Sequence, residues 1–161
     1  MQPPRKPFDL TNYIARSTSG CFICRYLEGN PDYQHIEVFR SEDAVVFLDK
    51  FPTLFGRVIV APTTHLEGVT KDFSIDSYLE LQRLIYKVAE AIRQVLDPER
   101  VYILSLGSQS ANAHVHWHIA PLPKGVPLED QQYHSLMHEY GTIDASEAEQ
   151  IEYAQSLRNC L

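Results

Sequence analysis

His114-Val115-His116-Trp117-His118-Ile119-Ala120-Pro121 is the stretch on which the fold turns. Side chains alternate along a strand, so the three imidazoles fall on one face about 7 Å apart while Val115, Trp117 and Ile119 share the other. The apolar face seals a core and the histidine face meets a cleft. A row of groups that exchange protons near pH 7 suits nucleophilic and acid–base work together. The same pattern leaves a second reading open, since two histidines two residues apart on a strand also chelate zinc.

Working outward, Ile36–Phe39 and Ala44–Leu48 read as a hairpin around the turn-forming Ser41-Glu42-Asp43. Lys50–Phe55 breaks the pattern, and Arg57–Ala61 gives a third strand stopped by Pro62. From Ser74 to Leu96 the apolar positions Tyr78, Leu81, Leu84, Ile85, Val88, Ala89, Ile92, Val95 and Leu96 recur at helical spacing, with Asp97-Pro98 as the stop. Arg100–Leu106 and His114–Leu122 are strands joined by the polar loop Gly107–Ala113. Asp144–Leu161 reads as a final helix started by Asp144 or Ser146. The expectation is an α+β fold, with a five-stranded antiparallel sheet, one long amphipathic helix packed on it and a C-terminal helical tail.

The 161 residues suit one domain, divided here into a flexible lead-in at 1–20, a catalytic region at 21–123 and a C-terminal extension of the same domain at 124–161. No apolar run reaches the ~20 residues of a membrane-spanning helix, and the proline-rich, basic MQPPRKPFDL lacks the apolar centre of a secretory signal. A cytoplasmic protein without a membrane partner is expected. The net charge of −7 opposes a nucleic acid polymer, so a phosphate-bearing ligand has to be held by local dipoles.

Three cysteines do not make a disulfide framework. Cys21-Phe22-Ile23-Cys24 is by itself a redox pair, half a metal site or two core thiols. Cys160, His35, His134 and His138 read as solvent-facing residues, with His134 and His138 able to share a helical face. Asp49 suits ribose hydroxyls, because a carboxylate accepts from both, and apolar Phe22, Ile23 and Phe47 suit a base.

His-Val-His-Trp-His-Ile-Ala, with the polar loop before it, resembles the signature of the histidine-triad (HIT) superfamily. Phe47–His65 is similar to that family's strand, acidic residue, loop, strand and Pro-x-x-His series, so the resemblance spans Cys21 to Pro121. It implies that His116 attacks the α-phosphorus of a nucleoside phosphate and carries the nucleotidyl group. It further implies catalytic neighbours in His118 and His114, with Asp49 on the ribose. Within the family the chain resembles members of the diadenosine polyphosphate hydrolase kind.

The resemblance also implies structural Zn2+ on Cys21, Cys24, His65 and His114, no organic cofactor, and a homodimer. His114 cannot then be both a zinc ligand and a free general acid. One departure stands out: the family's phosphate-loop hydroxyl falls on Ala111, leaving Ser110 or Asn112 as the replacement donor. A nucleotide-sensing or partner-binding protein with little turnover, and a three-histidine zinc enzyme, are the alternative functions.

Overall fold

In the computed structural model, which describes residues 3–161, the chain runs through β1 (Arg5–Lys6), α1 (Leu10–Ser17), α2 (Phe22–Leu27), β2 (Glu37–Arg40), β3 (Ala44–Leu48), β4 (Val58–Pro62), α3 (Ile75–Leu96), β5 (Arg100–Leu104), β6 (Trp117–Leu122), α4 (Tyr133–Leu136), β7 (Thr142–Ile143) and α5 (Glu147–Arg158). Five strands form one antiparallel sheet in the order β2-β3-β4-β6-β5, and β1 pairs with β7 apart from it. This is the α+β architecture expected.

The helix boundaries follow from their caps. Ser74 accepts from the Ser77 amide at the start of α3, and Asp97 closes it in the left-handed region (φ 44°) ahead of Pro98. Ser146 and Glu149 form a reciprocal capping box on α5, which starts that helix at Glu147. The hairpin turn is closed by Ser41, whose amide donates to the Ala44 carbonyl at 2.8 Å.

Both faces of the sheet are covered, which is why β3, β4 and β6 are buried at every position. On one face Val46, Val58, Val60, Trp117 and Ile119 pack against Leu81, Ile85, Val88 and Ile92 of α3 and Tyr153 and Leu157 of α5. On the other, Val45, Phe47, Ile59 and Ala61 pack against Ile23 and Tyr26 of α2. Each fully buried aliphatic or aromatic side chain in these layers contributes about 1.5–3 kcal/mol.

The triad strand is shorter than its sequence pattern. Regular pairing begins at Trp117, opposite Val60, so His114, Val115 and His116 approach the sheet without joining its ladder. Pro62 has no amide to donate, and the acceptor that the ladder leaves at His116 is taken by the Ser105 hydroxyl at 2.7 Å. The alternation survives, with Val115, Trp117 and Ile119 in the α3-side core.

Where the sequence is read as a flexible lead-in, residues 3–20 hold β1 and α1. Their order comes from the far end of the chain: Arg5 and Lys6 pair with Ile143 and Thr142, and Phe8 stacks on His138 with ring centroids 4.4 Å apart. Residues 1 and 2 of that segment lie outside the described range. No helix among the described residues is long and apolar enough to cross a membrane.

Candidate active site

His116 and His118 lie at the wall of a cavity of about 210 Å³ whose lining also includes Tyr13, Phe22, His35, Asp49 and Phe51. A larger hollow of about 890 Å³ between Asp97 and Tyr140 holds no triad residue, so the chemistry is assigned to the smaller one. Both histidines are nearly inaccessible, at 3% and 9% exposure, and their ring centroids are 4.8 Å apart.

The two rings carry opposite tautomers. His116 Nδ1 is 2.7 Å from the carbonyl oxygen of His114; a carbonyl only accepts, so Nδ1 holds the proton and Nε2 the lone pair. His118 Nδ1 is 3.2 Å from Arg57 Nε, and a guanidinium only donates, so this Nδ1 is the acceptor and the proton sits on Nε2. Among the described residues neither Nε2 has a partner, and neither is sealed from solvent. Burial holds both imidazoles below the usual histidine range, and the Arg57 charge adds to the effect at His118. One ring therefore offers a nucleophilic nitrogen and its neighbour a neutral donor.

Arg57, immediately before β4, is itself buried and pairs with Asp49 at 3.1 Å. Asp49 Oδ1 accepts from the Phe51 amide at 2.9 Å. Sequence reasoning missed Arg57 because it reads as the polar entry to a strand. Its one available signal was a cation directly before a run of buried apolar residues.

Gly107 fixes the polar loop against the site. A Cβ there would meet the Asn112 carbonyl oxygen at 2.5 Å, and lies 3.9 Å from His116 Cε1, so only glycine allows this approach. Asn112 adopts φ 56°, lines the cavity and donates to the Tyr13 hydroxyl at 3.0 Å.

The other expected residues divide. Phe22 lines the cavity, its ring 5.7 Å from that of His116 at 89°. Ile23 and Phe47 do not line it, because both are fully buried beneath Phe22 in the α2-side core. Ser110 is exposed at a turn outside the cavity, so of the two replacement donors only Asn112 reaches it. His35 and His138, read as solvent-facing, are part-buried cavity residues. Long-range ring packing, which short spacing does not reveal, covers them: Phe47 and Tyr26 lie against His35, and Phe8 against His138. His134 stacks on Tyr140 instead.

His114 is turned away from the others. Its Nε2 is 2.8 Å from the Pro62 carbonyl, which places the proton there and leaves the Nδ1 lone pair facing Cys21 Sγ at 3.4 Å and Cys24 Sγ at 3.6 Å. His65 Nδ1 lies 3.3 Å from Cys24 Sγ, with its Nε2 3.2 Å from Glu67 Oε1. All four donor atoms fall within 4.8 Å of one another. A tetrahedron with metal–ligand bonds of ~2.0–2.3 Å has edges of roughly 3.3–3.8 Å, so these contacts match such a set. The outer hydrogen bonds of both imidazoles are those that orient metal-bound histidine.

The four residues could therefore bind a metal, and Val115, whose amide donates to Leu66 O at 2.7 Å, stitches the His65 and His114 segments together. With Nε2 on the Pro62 carbonyl and Nδ1 facing the two sulfurs, His114 presents neither nitrogen to the cavity. His114 faces the cysteines while His116 and His118 line the cavity, an arrangement that does not favour the three-histidine metal reading.

The HIT domain family profile matches residues 31–125. An uncharacterized HIT-like protein of Saccharolobus solfataricus is 34% identical over 104 residues, 63% of this chain and 73% of that one. The protein named hit of Bacillus subtilis is 29% identical over 104 residues, 63% of this chain and 70% of its own length.

Among solved structures, a hypothetical histidine triad nucleotide-binding protein from Sulfolobus tokodaii superposes with a TM-score of 0.68 at 20% identity, covering 87% of this chain and 91% of that one. A Zn-bound histidine triad family protein from Mycobacterium smegmatis gives 0.67 at 21% identity, covering 89% and 94%. The chain belongs to the HIT family.

Proposed function

We propose that this HIT protein is a nucleotide hydrolase or nucleotidyltransferase. It cleaves at the α-phosphate of dinucleoside polyphosphates, nucleoside phosphoramidates or related adenylylated compounds. The observation that carries the reading is the pair of opposed tautomers, a lone pair on His116 Nε2 beside an N–H on His118 Nε2. His116 Nε2 attacks phosphorus, forming the P–N bond as the bond to the leaving group breaks. Water or another acceptor then attacks phosphorus and returns the electron pair to His116.

His118 Nε2–H donates to a non-bridging phosphate oxygen as charge grows there, an interaction worth about 3 kcal/mol when such a donor is well placed. Asp49 retains lone pairs for the ribose hydroxyls beside its contacts with Arg57 and Phe51. Phe22 offers its ring to the base and Asn112 an amide to the phosphate.

Zn2+ is the metal proposed for Cys21, Cys24, His65 and His114, since two thiolates and two imidazoles form a closed structural set. When bound it supplies fixation of the segment that leads into His116. A homodimer is proposed through β5, an edge strand that exposes Ile103.

The test is turnover of a panel of adenylylated compounds by wild type and His116→Ala. Nucleotide release that drops by at least about 10³-fold on substitution supports the reading. Binding without turnover in the wild type replaces it with a nucleotide sensor.

A further inference from the structure

The tautomers leave a gap in the chemistry. A leaving group such as an amine needs a proton as its bond to phosphorus breaks, yet His114 has both nitrogens committed and His116 is the attacking group. His118 is a neutral donor whose other nitrogen already accepts from Arg57. None of the three is free to act as a strong acid.

The cavity holds a further histidine, His138, beside those of the triad. Its aromatic lining falls into two groups. Phe22, against His35, stands at His116. Phe51 and Tyr13, whose ring centroids are 5.8 Å apart at 86°, stand with His138 and join Asn112 through the Tyr13 hydroxyl. With a base seated at Phe22 and His116 attacking, the lining left for the leaving group is the second set.

Resting on the covalent reading above, we propose that His138, supplied by the C-terminal extension, is the proton donor to the leaving group and the proton acceptor from the attacking water. Its Nε2 donates to the Phe51 carbonyl at 3.1 Å, and Phe8 stacks on its ring, so its orientation is fixed from both ends of the chain. Nδ1 has no partner among the described residues and is not sealed from solvent.

In the first half-reaction Nδ1–H passes its proton to the departing nitrogen or oxygen as the P–N bond to His116 forms, leaving His138 neutral. In the second, water gives its proton to Nδ1 as it attacks phosphorus, and the electron pair returns to His116. The Nε2–H bond to Phe51 persists throughout.

The groups that face His138 are Arg57 and Asp49 from the two ends of the β3–β4 connection, His118 from β6 and Tyr13 from α1. Burial is the largest influence and holds the His138 imidazole below the usual histidine range, with Arg57 lowering it further and the Phe51 carbonyl and Asp49 raising it. A bound phosphate anion adds to the raising side.

The experiment compares wild type with His138→Gln, which can keep a donor for the Phe51 carbonyl but cannot titrate, and with His138→Ala. Two probes are used: the p-nitrophenyl ester of AMP, whose leaving group needs no proton, and an alkylamine phosphoramidate of AMP, whose leaving group does. The expected result, read as the rate at which adenylyl-His116 forms in the first turnover, is a loss of about 100-fold on the phosphoramidate and less than about 3-fold on the ester, with AMP affinity unchanged in His138→Gln. The loss on the phosphoramidate should carry with it the decline in rate that wild type shows toward high pH.

Equal losses on both probes, or no loss on either, overturn the assignment while leaving the covalent mechanism standing. Absence of turnover on both probes in the wild type overturns both.

Discussion

Arg57 Nε lies 3.2 Å from His118 Nδ1 and 3.1 Å from Asp49 Oδ2, so one buried donor ties a triad imidazole to the carboxylate beside it. The arrangement inverts the common one, in which a histidine N–H is held by a carboxylate. Here the cation supplies the proton of the hydrogen bond, and the imidazole is fixed with its own proton on the other nitrogen.

Ring nitrogen chemical shifts check this directly. At pH 7 His116 should show a protonated Nδ1 and His118 a protonated Nε2. The same tautomer on both rings would remove the division of labour between nucleophile and donor.

Removing one partner of the buried pair should be costly. Arg57→Leu leaves the Asp49 carboxylate buried without its cation, and the expected loss is about 3–5 kcal/mol in urea unfolding. The double variant Arg57→Leu/Asp49→Leu should recover part of that loss, since it buries no lone charge. A double variant less stable than the single would contradict the pairing.

Metal content separates the cluster from the triad. Wild type should carry one equivalent of zinc, His118→Ala should keep it, and Cys21→Ser/Cys24→Ser should lose it. Chelation should lower Tm by at least about 5 °C, because a metal bound only by the folded chain contributes folding free energy. Metal retained by the double cysteine variant would rule out the four-residue site.

Stability should fall on mild acidification. Burial lowers the pKa of His35 to about 4, against 6.5 when unfolded. Between these values the unfolded chain binds the proton and the folded chain does not, so stability is full above pH 6.5 and is lost as pH falls toward 4. The lost contribution is about 3 kcal/mol at 1.36 kcal/mol per unit. His35→Phe should flatten that part of the urea midpoint profile, and an unchanged slope would show that His35 takes its proton inside the fold.

The sheet and the long helix were legible because their signals are local. The apolar run Ala44–Leu48, the periodicity of Ile75–Leu96 and the Ser74 and Ser146 caps act over a few residues. His116 and the Cys21-x-x-Cys24 pair were legible for the same reason. What stayed hidden depends on distant parts of the chain. His138 reads as a polar residue in a turn-rich tail until β1 pairs with β7 and brings Phe8 onto its ring. Phe47 and Ile23 looked available to a base because sequence does not say that α2 closes over one and buries the other.

The central claim is the covalent His116 intermediate. Wild type mixed with the p-nitrophenyl ester of AMP, quenched with base within the first turnover and analysed by intact-protein and peptide mass spectrometry, should carry one adenylyl group on the peptide containing His116. That adduct should form no more slowly than nucleotide is released, and be absent in His116→Ala. Turnover with no adduct at any time, or an adduct on another residue, would contradict the account.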